Sequence, residues 1–335
     1  METNLRPLTF GEILNQLFRL LRSHFKLFLG LALLPMAAFL LVYALFFAAF
    51  LLPVIAHFPA QPDPNEILRW FLPALLILTP LFMAIFSFYL AASIHAGLQA
   101  NMGLAVTLRE SYQVAWQRFG RYFWLLFLCY LIAFLPLLIV ELLMFGGMTL
   151  GAMHHAAPGP AFFLLLPLEI ILLVGAMVWG FIQAMRLSLA FPASLAEGIT
   201  AREAIRRSRE LTRGAKGRIF LVLIVIYAIG YAAELVGLLL LAAIIGVGAL
   251  LMAAMQVKLL SVLGILGASL ALLCFLASVF LWVALLWAAI SSVLAILYHD
   301  QLLRKSLLTA QQVASNAPFL EVPRSDTPLS GGAIK

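Results

Sequence analysis

The sequence predicts an all-α integral membrane protein: six transmembrane helices, arranged as three repeats of an amphipathic cytoplasmic helix followed by two spans. Three observations carry that prediction. The 335-residue chain is 64% hydrophobic and 10% charged, with a mean hydropathy of +1.09, whereas soluble domains average about 45–50% apolar and about 25% charged. Six apolar runs are long enough to cross a bilayer, which takes about 20 helical residues. Three Thr-x-x-Glu tetrads recur at near-constant spacing, each ahead of a pair of those runs. A soluble fold could not bury this apolar excess. The composition also excludes disordered and nucleic-acid-binding classes, in spite of a net charge of +7.

The runs cover residues 27–52, 70–96, 122–147, 161–188, 219–241 and 262–298. The first is longer than the roughly 7–15-residue apolar core of a signal peptide, and no small-residue cleavage site follows it, so it is expected to stay as the first span. The last exceeds one bilayer thickness and should tilt, bend or project. Residues 241–257 are open to three readings: an interfacial helix, a re-entrant piece or an extra half-span, because lipid-facing helices are apolar on every side. Of the 21 Lys and Arg, only Arg69 and Lys258 fall in loops on one side, which leaves 19 on the other. Cations flanking spans mark the cytoplasmic face, so both termini are expected there. Residues 1–305 read as one polytopic domain and 306–335 as a polar, disordered tail. Cys129 and Cys274 sit inside apolar runs and read as small core hydrophobes.

The tetrads are Thr9-Phe10-Gly11-Glu12, Thr107-Leu108-Arg109-Glu110 and Thr200-Ala201-Arg202-Glu203, 98 and 93 residues apart in a chain with nine Thr and eleven Glu. This is the capping-box pattern, in which Thr accepts from the N3 amide and Glu reaches back to the N-cap amide. Offsets +1, +5, +8 and +12 from each Thr give Phe10, Leu14, Leu17 and Leu21; then Leu108, Tyr112, Ala115 and Phe119; then Ala201, Ile205, Ser208 and Thr212. Such spacing makes one helical stripe. Each helix then meets Lys26, Arg121 or Arg218 and enters a span. The units run over about 8–104, 105–198 and 199–300. Parallel repeats of two spans imply a pseudo-threefold axis along the membrane normal, with sites expected between repeats.

Three carboxylates interrupt the spans: Glu141, Glu169 and Glu234. A charge at mid-bilayer costs about 2.5–3.5 kcal/mol on insertion scales, so each needs a reason. Glu141 and Glu234 both lie 34 residues after their Thr, where the first unit has Tyr43. Together these four form a candidate polar cluster, facing a cavity that takes a cation, a proton or the polar part of a lipid. Alternatively, each carboxyl sits near the outer interface and only orders packing. Residues 200–218 carry Arg202, Arg206, Arg207, Arg209, Arg213, Lys216 and Arg218 against Glu203 and Glu210. Arg202, Arg206, Arg207, Arg213, Lys216 and Arg218 are the candidate contacts to anionic head groups or an acidic partner. The simpler alternative is that the helix enforces topology. His154-His155 is a poor metal site without a carboxylate or thiol nearby, and His299-Asp300 beside Arg304 reads as an interfacial cap. Gly246, Gly248 and the Ala233-x-x-x-Gly237 pair fit close helix packing. No catalytic motif, metal site or cofactor loop is found.

The segment Ala204-Ile-Arg-Arg-Ser-Arg-Glu-Leu-Thr-Arg-Gly214, the opening Leu8-Thr-Phe-Gly-Glu-Ile-Leu14 and the closing Leu297-Tyr-His-Asp300 together resemble a bacterial membrane-domain family. It is the multi-span domain fused ahead of some glycerophosphodiester phosphodiesterases. The resemblance covers roughly residues 5–305. It implies a six-span protein of the bacterial inner membrane, without the phosphodiesterase activity, which belongs to a separate soluble domain. The expected function is non-enzymatic: transport or handling of a lipid, small amphiphile or ion at a pocket between repeats. The rival reading is an accessory membrane protein that docks a partner through its basic helices.

Overall fold

A computed structural model describes residues 7–46, 64–153, 160–254 and 262–316, and every regular element among them is helical. The order is α1 (Phe10–Ser23), α2 (Phe25–Phe46), α3 (Pro64–Asn101), α4 (Leu108–Gln117), α5 (Phe119–Met153), α6 (Pro160–Leu187), α7 (Ala190–Glu197), α8 (Ala201–Thr212), α9 (Lys216–Ala254) and α10 (Val262–Asn316). Six stretches are long and apolar enough to cross a membrane: Phe25–Phe46, Leu76–Asn101, Phe119–Leu143, Pro167–Glu197, Lys216–Gly248 and Ser278–Ala310.

All three tetrad threonines are N-caps. Thr9 and Thr200 make the full reciprocal box with Glu12 and Glu203, while Thr107 only accepts, from the Glu110 amide at 3.2 Å. The capped helices α1, α4 and α8 each bury one face that includes much of the expected stripe: in α8 Ala201, Ile205, Ser208 and Thr212 are all buried, while Phe10, Leu14, Leu21 and Tyr112 are half-buried against the core and Leu108 is exposed. The most buried positions of that face are offsets +4 and +8: Ile13 and Leu17, Ser111 and Ala115, Ala204 and Ser208. The residue before each cap (Leu8, Val106, Ile199) also packs on the core, the position of a hydrophobic staple.

The core lies at the end of the bundle that carries these short helices, here called the base. Within the long helices, buried residues fall at 28–32, 87–100, 122–133, 176–194, 219–226 and 284–301. Beyond the base the helices run on with apolar side chains exposed, among them Leu142, Leu240 and Leu250. The stretch 241–254 continues α9, so it is neither re-entrant nor a separate interfacial helix; residues 255–257 lie outside the described set. A helix the length of α9 spans about 58 Å, well past the roughly 30 Å hydrocarbon layer. The polar tail expected from Ser306 also begins later, because α10 continues to Asn316. No Gly or Pro interrupts Leu303–Asn316, so nothing in that sequence stops the helix. Gly237, Gly246 and Gly248 do not mark close packing, since a Cβ at each would meet nothing within 4 Å. Close approaches occur instead at Gly97, against Ala295 and Ser292, and at Gly180, against the Ala133 carbonyl. Cys129 is half-buried against the core, and Cys274 is exposed rather than a core residue.

The packing order is cyclic. Helix α4 packs on α3, α8 on α7, α5 and α6, and α1 on α10. Each short helix therefore sits on the second span of the preceding unit, and the first unit's sits on the third's. Two arginines follow the same rule. Arg121, two residues into α5, donates to the carbonyls of Gly198 (2.7 Å) and Ile199 (3.2 Å), just before the Thr200 cap. Arg218, two residues into α9, donates to the Leu8 carbonyl, just before the Thr9 cap. The corresponding residue of α2 is Leu27, and the set is incomplete there.

Indoles join the two spans of the second and third units. Trp179 donates to the Ile132 carbonyl (3.2 Å) and Trp282 to the Gly230 carbonyl (2.9 Å). The Ile132 acceptor exists because Pro136, four residues on, has no N–H to give it. Pro35 likewise frees the Leu31 carbonyl, which takes the Tyr112 hydroxyl at 3.0 Å. Burial pushes that phenol up to about 12, so it stays a donor at neutral pH.

Candidate functional site

The predicted polar cluster is not drawn together. Glu141 on α5 is exposed, and Glu169 on α6 and Glu234 on α9 are half-buried. The antiparallel contacts Trp179–Ile132 and Phe181–Phe220 put all three at a similar height along the bundle. However, no hydrogen bond or ion pair joins them to one another or to any other described residue. Their neighbours Leu142, Leu168 and Leu235 are exposed. No group of three or more His, Cys, Asp or Glu that could hold a metal occurs among the described residues. Tyr43 lies in α2, but its side chain is outside the described set, as are His154 and His155.

The six basic candidates divide. Arg202, Arg206 and Arg213 are exposed and Lys216 is half-buried, all without an ion pair among the described residues. Arg207 is engaged: its Nε donates to Glu197 Oε1 at 2.9 Å, and its Nη1 lies 3.7 Å from Glu210 Oε2. The bonded Glu197 carboxylate holds the guanidinium above its already high pKa. Tyr298 donates to the same Glu197 oxygen at 2.8 Å, tying α7 to α10.

Arg218 turns inward. Its Nη1 lies 2.9 Å from Asp300 Oδ2, in an ion pair with a carboxylate that is fully buried. Arg304, one turn further along α10, donates to the same oxygen at 3.0 Å and to the Leu8 carbonyl at 2.8 Å. Asp300 Oδ1 accepts the Leu8 N–H at 2.8 Å. One buried carboxylate and two guanidiniums thus close around the backbone of Leu8 and fasten the first unit's entry to both spans of the third. The pairing of Asp300 with Arg304 is readable at i, i+4 spacing; Leu8 and Arg218 carry no sequence signal of it. Beside this knot, Asn101 accepts from Gln16 (2.6 Å) and bonds His299 Nδ1 (2.9 Å).

The site that sequence reasoning missed lies between α2, α3 and α10. Ala32, Pro35, Met36, Phe39, Phe86, Tyr89 and Trp287 line a small, shallow apolar cleft that is open on one side. Phe86 meets Trp287 edge-on, with ring centroids 4.7 Å apart. Proline at 35 and alanine at 32 leave α2 narrow where the aromatic rings of α3 and α10 stand opposite. Tyr89 closes the floor, only 4% exposed, with its hydroxyl beside Ser93 and Ser291 but in no well-aligned hydrogen bond. Those two serines bond each other at 2.6 Å. Among the described residues, no charged side chain lines the cleft. The arrangement can hold apolar matter by dispersion and by exclusion of water. The only sequence hint was Pro35 inside an otherwise uninterrupted span.

No family model matches this chain, and neither does any curated protein or solved structure. The resemblance to the phosphodiesterase-linked membrane domain therefore rests on the quoted segments alone.

Proposed function

We propose that this chain is a non-enzymatic, multi-pass protein of the bacterial inner membrane that holds a lipid chain or small amphiphile in the cleft between its first and third repeats. The observation that carries the reading is the cleft itself. It opens between α2 and α3 of the first unit and α10 of the third, is lined by aromatic and small apolar side chains, and bears no charge. Ligand pockets are largely apolar and concave, and parallel repeats place sites at their interfaces. The uncharged lining favours a lipid or amphiphile over an ion.

A threefold repeat is supported by the cyclic packing of α1, α4 and α8 and by the matching clamps of Arg121 and Arg218. The indole bonds of Trp179 and Trp282 add to it. Each is followed at the same spacing by the acidic residue that ends its unit, Glu197 or Asp300. Cytoplasmic placement of the base, and of both termini, is supported by the Lys and Arg gathered there.

The test is saturable photolabelling of the purified protein with a trace phospholipid carrying a photoreactive acyl chain. Labelling of the Ala32–Phe39 and Phe86–Tyr89 peptides should fall on adding unlabelled lipid, while labelling of exposed outer positions near Leu142 should not saturate. Substitution A32F, which fills the cleft, should abolish the saturable part. Labelling that is equally non-saturable everywhere refutes the reading.

A further inference from the structure

The exposed side of α8 carries a continuous stripe of four arginines flanked by Glu203 and Glu210, and it differs from the set the sequence suggests. Arg207 and Arg218 are committed, to Glu197 and Asp300 respectively. Arg209 takes their place. Arg202, Arg206, Arg209 and the C-cap Arg213 follow one another at +4, +3 and +4, so at about 100° per residue they fall within an arc of roughly 60° and extend about 16 Å along the helix. All four are exposed, and none makes an ion pair among the described residues. Both acids of the helix are otherwise held. Glu203 bonds the Thr200 amide and hydroxyl, and Glu210 faces Arg207. The opposite face, with Ala201, Ala204, Ile205, Ser208, Leu211 and Thr212, is buried against the base. The stripe is therefore held outward by a fixed, buried reverse side.

We infer that Arg202, Arg206, Arg209 and Arg213 dock the phosphates of anionic phospholipids in the leaflet surrounding the base. Two observations select that occupant. First, the stripe holds no apolar or aromatic residue: the exposed side of α8 is Arg and Glu throughout. Protein interfaces are anchored by aromatic and apolar side chains and are depleted of charge at their centres, whereas an anionic leaflet attracts cations without any such anchor. Second, the stripe ends at Arg213, three residues before α9 enters its apolar stretch at Lys216, so its far end is held at the depth where head groups begin. The inference rests on the proposed cytoplasmic placement of the base but not on the cleft.

The experiment uses the full chain in neutral detergent with added phosphatidylcholine or phosphatidylglycerol, read by thermal unfolding and by native mass spectrometry of retained lipid. Wild type should unfold several degrees higher with phosphatidylglycerol than with phosphatidylcholine, and this difference should shrink on raising salt from about 50 to 500 mM. The R202Q/R206Q/R209Q/R213Q variant should lose the difference and retain fewer phosphatidylglycerol molecules, while its melting point in phosphatidylcholine stays near wild type. The corresponding four-lysine variant should restore most of the difference, which a merely structural role would not predict. If the glutamine variant keeps the full phosphatidylglycerol effect, the inference is overturned. It is equally overturned if polyglutamate stabilises the protein and displaces bound phosphatidylglycerol, since the stripe would then be built for an acidic polypeptide. Saturable acyl labelling of the cleft, read in the same samples, should survive all four substitutions, so the two proposals fail separately.

Discussion

The base of the bundle and its outer ends are made of similar residues put to opposite use. At the base, small side chains let helices approach. Ala91, Ala92, Ser93, Ala190, Ala193, Ser194 and Ser291 are all fully buried, and polar groups appear where a partner can be fixed. Toward the outer ends, Leu142, Ile171, Leu240 and Leu250 stand more than 60% exposed, and the carboxylates of Glu141, Glu169 and Glu234 have no described partner. Lipid tails are as apolar as leucine, so exposing leucine to them costs nothing and burying it gains only packing. Specific association must then come from small residues and from hydrogen-bonded polar groups. Both are concentrated at the base, which makes the base the part that specifies the fold.

The largest test of that contrast is Asp300. Its buried carboxylate compensates Arg218 and Arg304 and holds the Leu8 amide. Removing one partner of a buried pair strands the other, typically at about 3–5 kcal/mol. Asp300→Asn should therefore lower the unfolding midpoint in detergent strongly, toward the lower end of that range because both arginines are partly exposed. Glu197→Gln breaks an ion pair on the rim of the same face, where exposed pairs contribute about 0–1 kcal/mol, and leaves the Tyr298 hydroxyl an amide oxygen to donate to. If the two substitutions cost the same, the knot around Leu8 is not the fastening described here.

A glycine pair sharpens the comparison. A Cβ at Gly97 would sit 3.2 Å from the Ala295 Cβ and 3.4 Å from the Ser292 Cα, neither of which can swing away. Gly97→Ala should cost about 1–3 kcal/mol by overpacking. A Cβ at Gly237 would meet nothing, and Gly237→Ala in the middle of α9 should stabilise by up to about 1 kcal/mol through helix propensity. Thermal midpoints of the two variants should move in opposite directions.

These contrasts also explain what could be read from the sequence. Six apolar runs and three capped helices were legible because both are local: a run announces itself by length, and Thr200 lies three residues from the Glu203 that completes its box. The run from 262 gave a span but not its end, since Leu303–Asn316 holds no residue that must stop a helix. The cleft was not legible, because Met36, Phe86 and Trp287 come from three distant helices and each alone is an ordinary lipid-facing residue. The same holds for Leu8 and Arg218, which are 210 residues apart and meet only when the first and last parts of the bundle pack together. The stripe of the short helices was legible in part: its four positions are all buried in α8, but offset +4 (Ile13, Ser111 and Ala204), buried in all three helices, lay outside it.

The caps offer a smaller effect within the base. Thr200→Ala removes the acceptor for the Glu203 amide and one arm of the full box, and should cost about 1 kcal/mol. Thr107→Ala should cost less, because it loses no counterpart of the Thr200 hydroxyl bond to the Glu203 carboxylate. Comparison of the two by denaturant unfolding reads the contribution of that hydroxyl–carboxylate bond.

The smallest expected effect is one of pH. The Thr200 amide and hydroxyl both donate to Glu203 Oε2, at 3.0 and 2.8 Å, and hold its carboxyl below the usual carboxylate range. A group whose pKa is depressed on folding binds its proton less readily in the folded state. Its contribution is therefore complete above the unfolded-state value, near 4.3, and is lost as pH falls through the lower folded-state value. Acidification from about pH 5 to pH 3 should thus erode wild-type stability more than that of Glu203→Gln, whose side chain can still accept but does not titrate. The two melting curves should differ most at pH 5 and draw together in acid. If they stay parallel, the carboxylate adds nothing beyond its acceptor geometry. The Thr200 cap would then be held by the threonine alone, as at Thr107, and the base would owe its order to burial rather than to charge at this helix end.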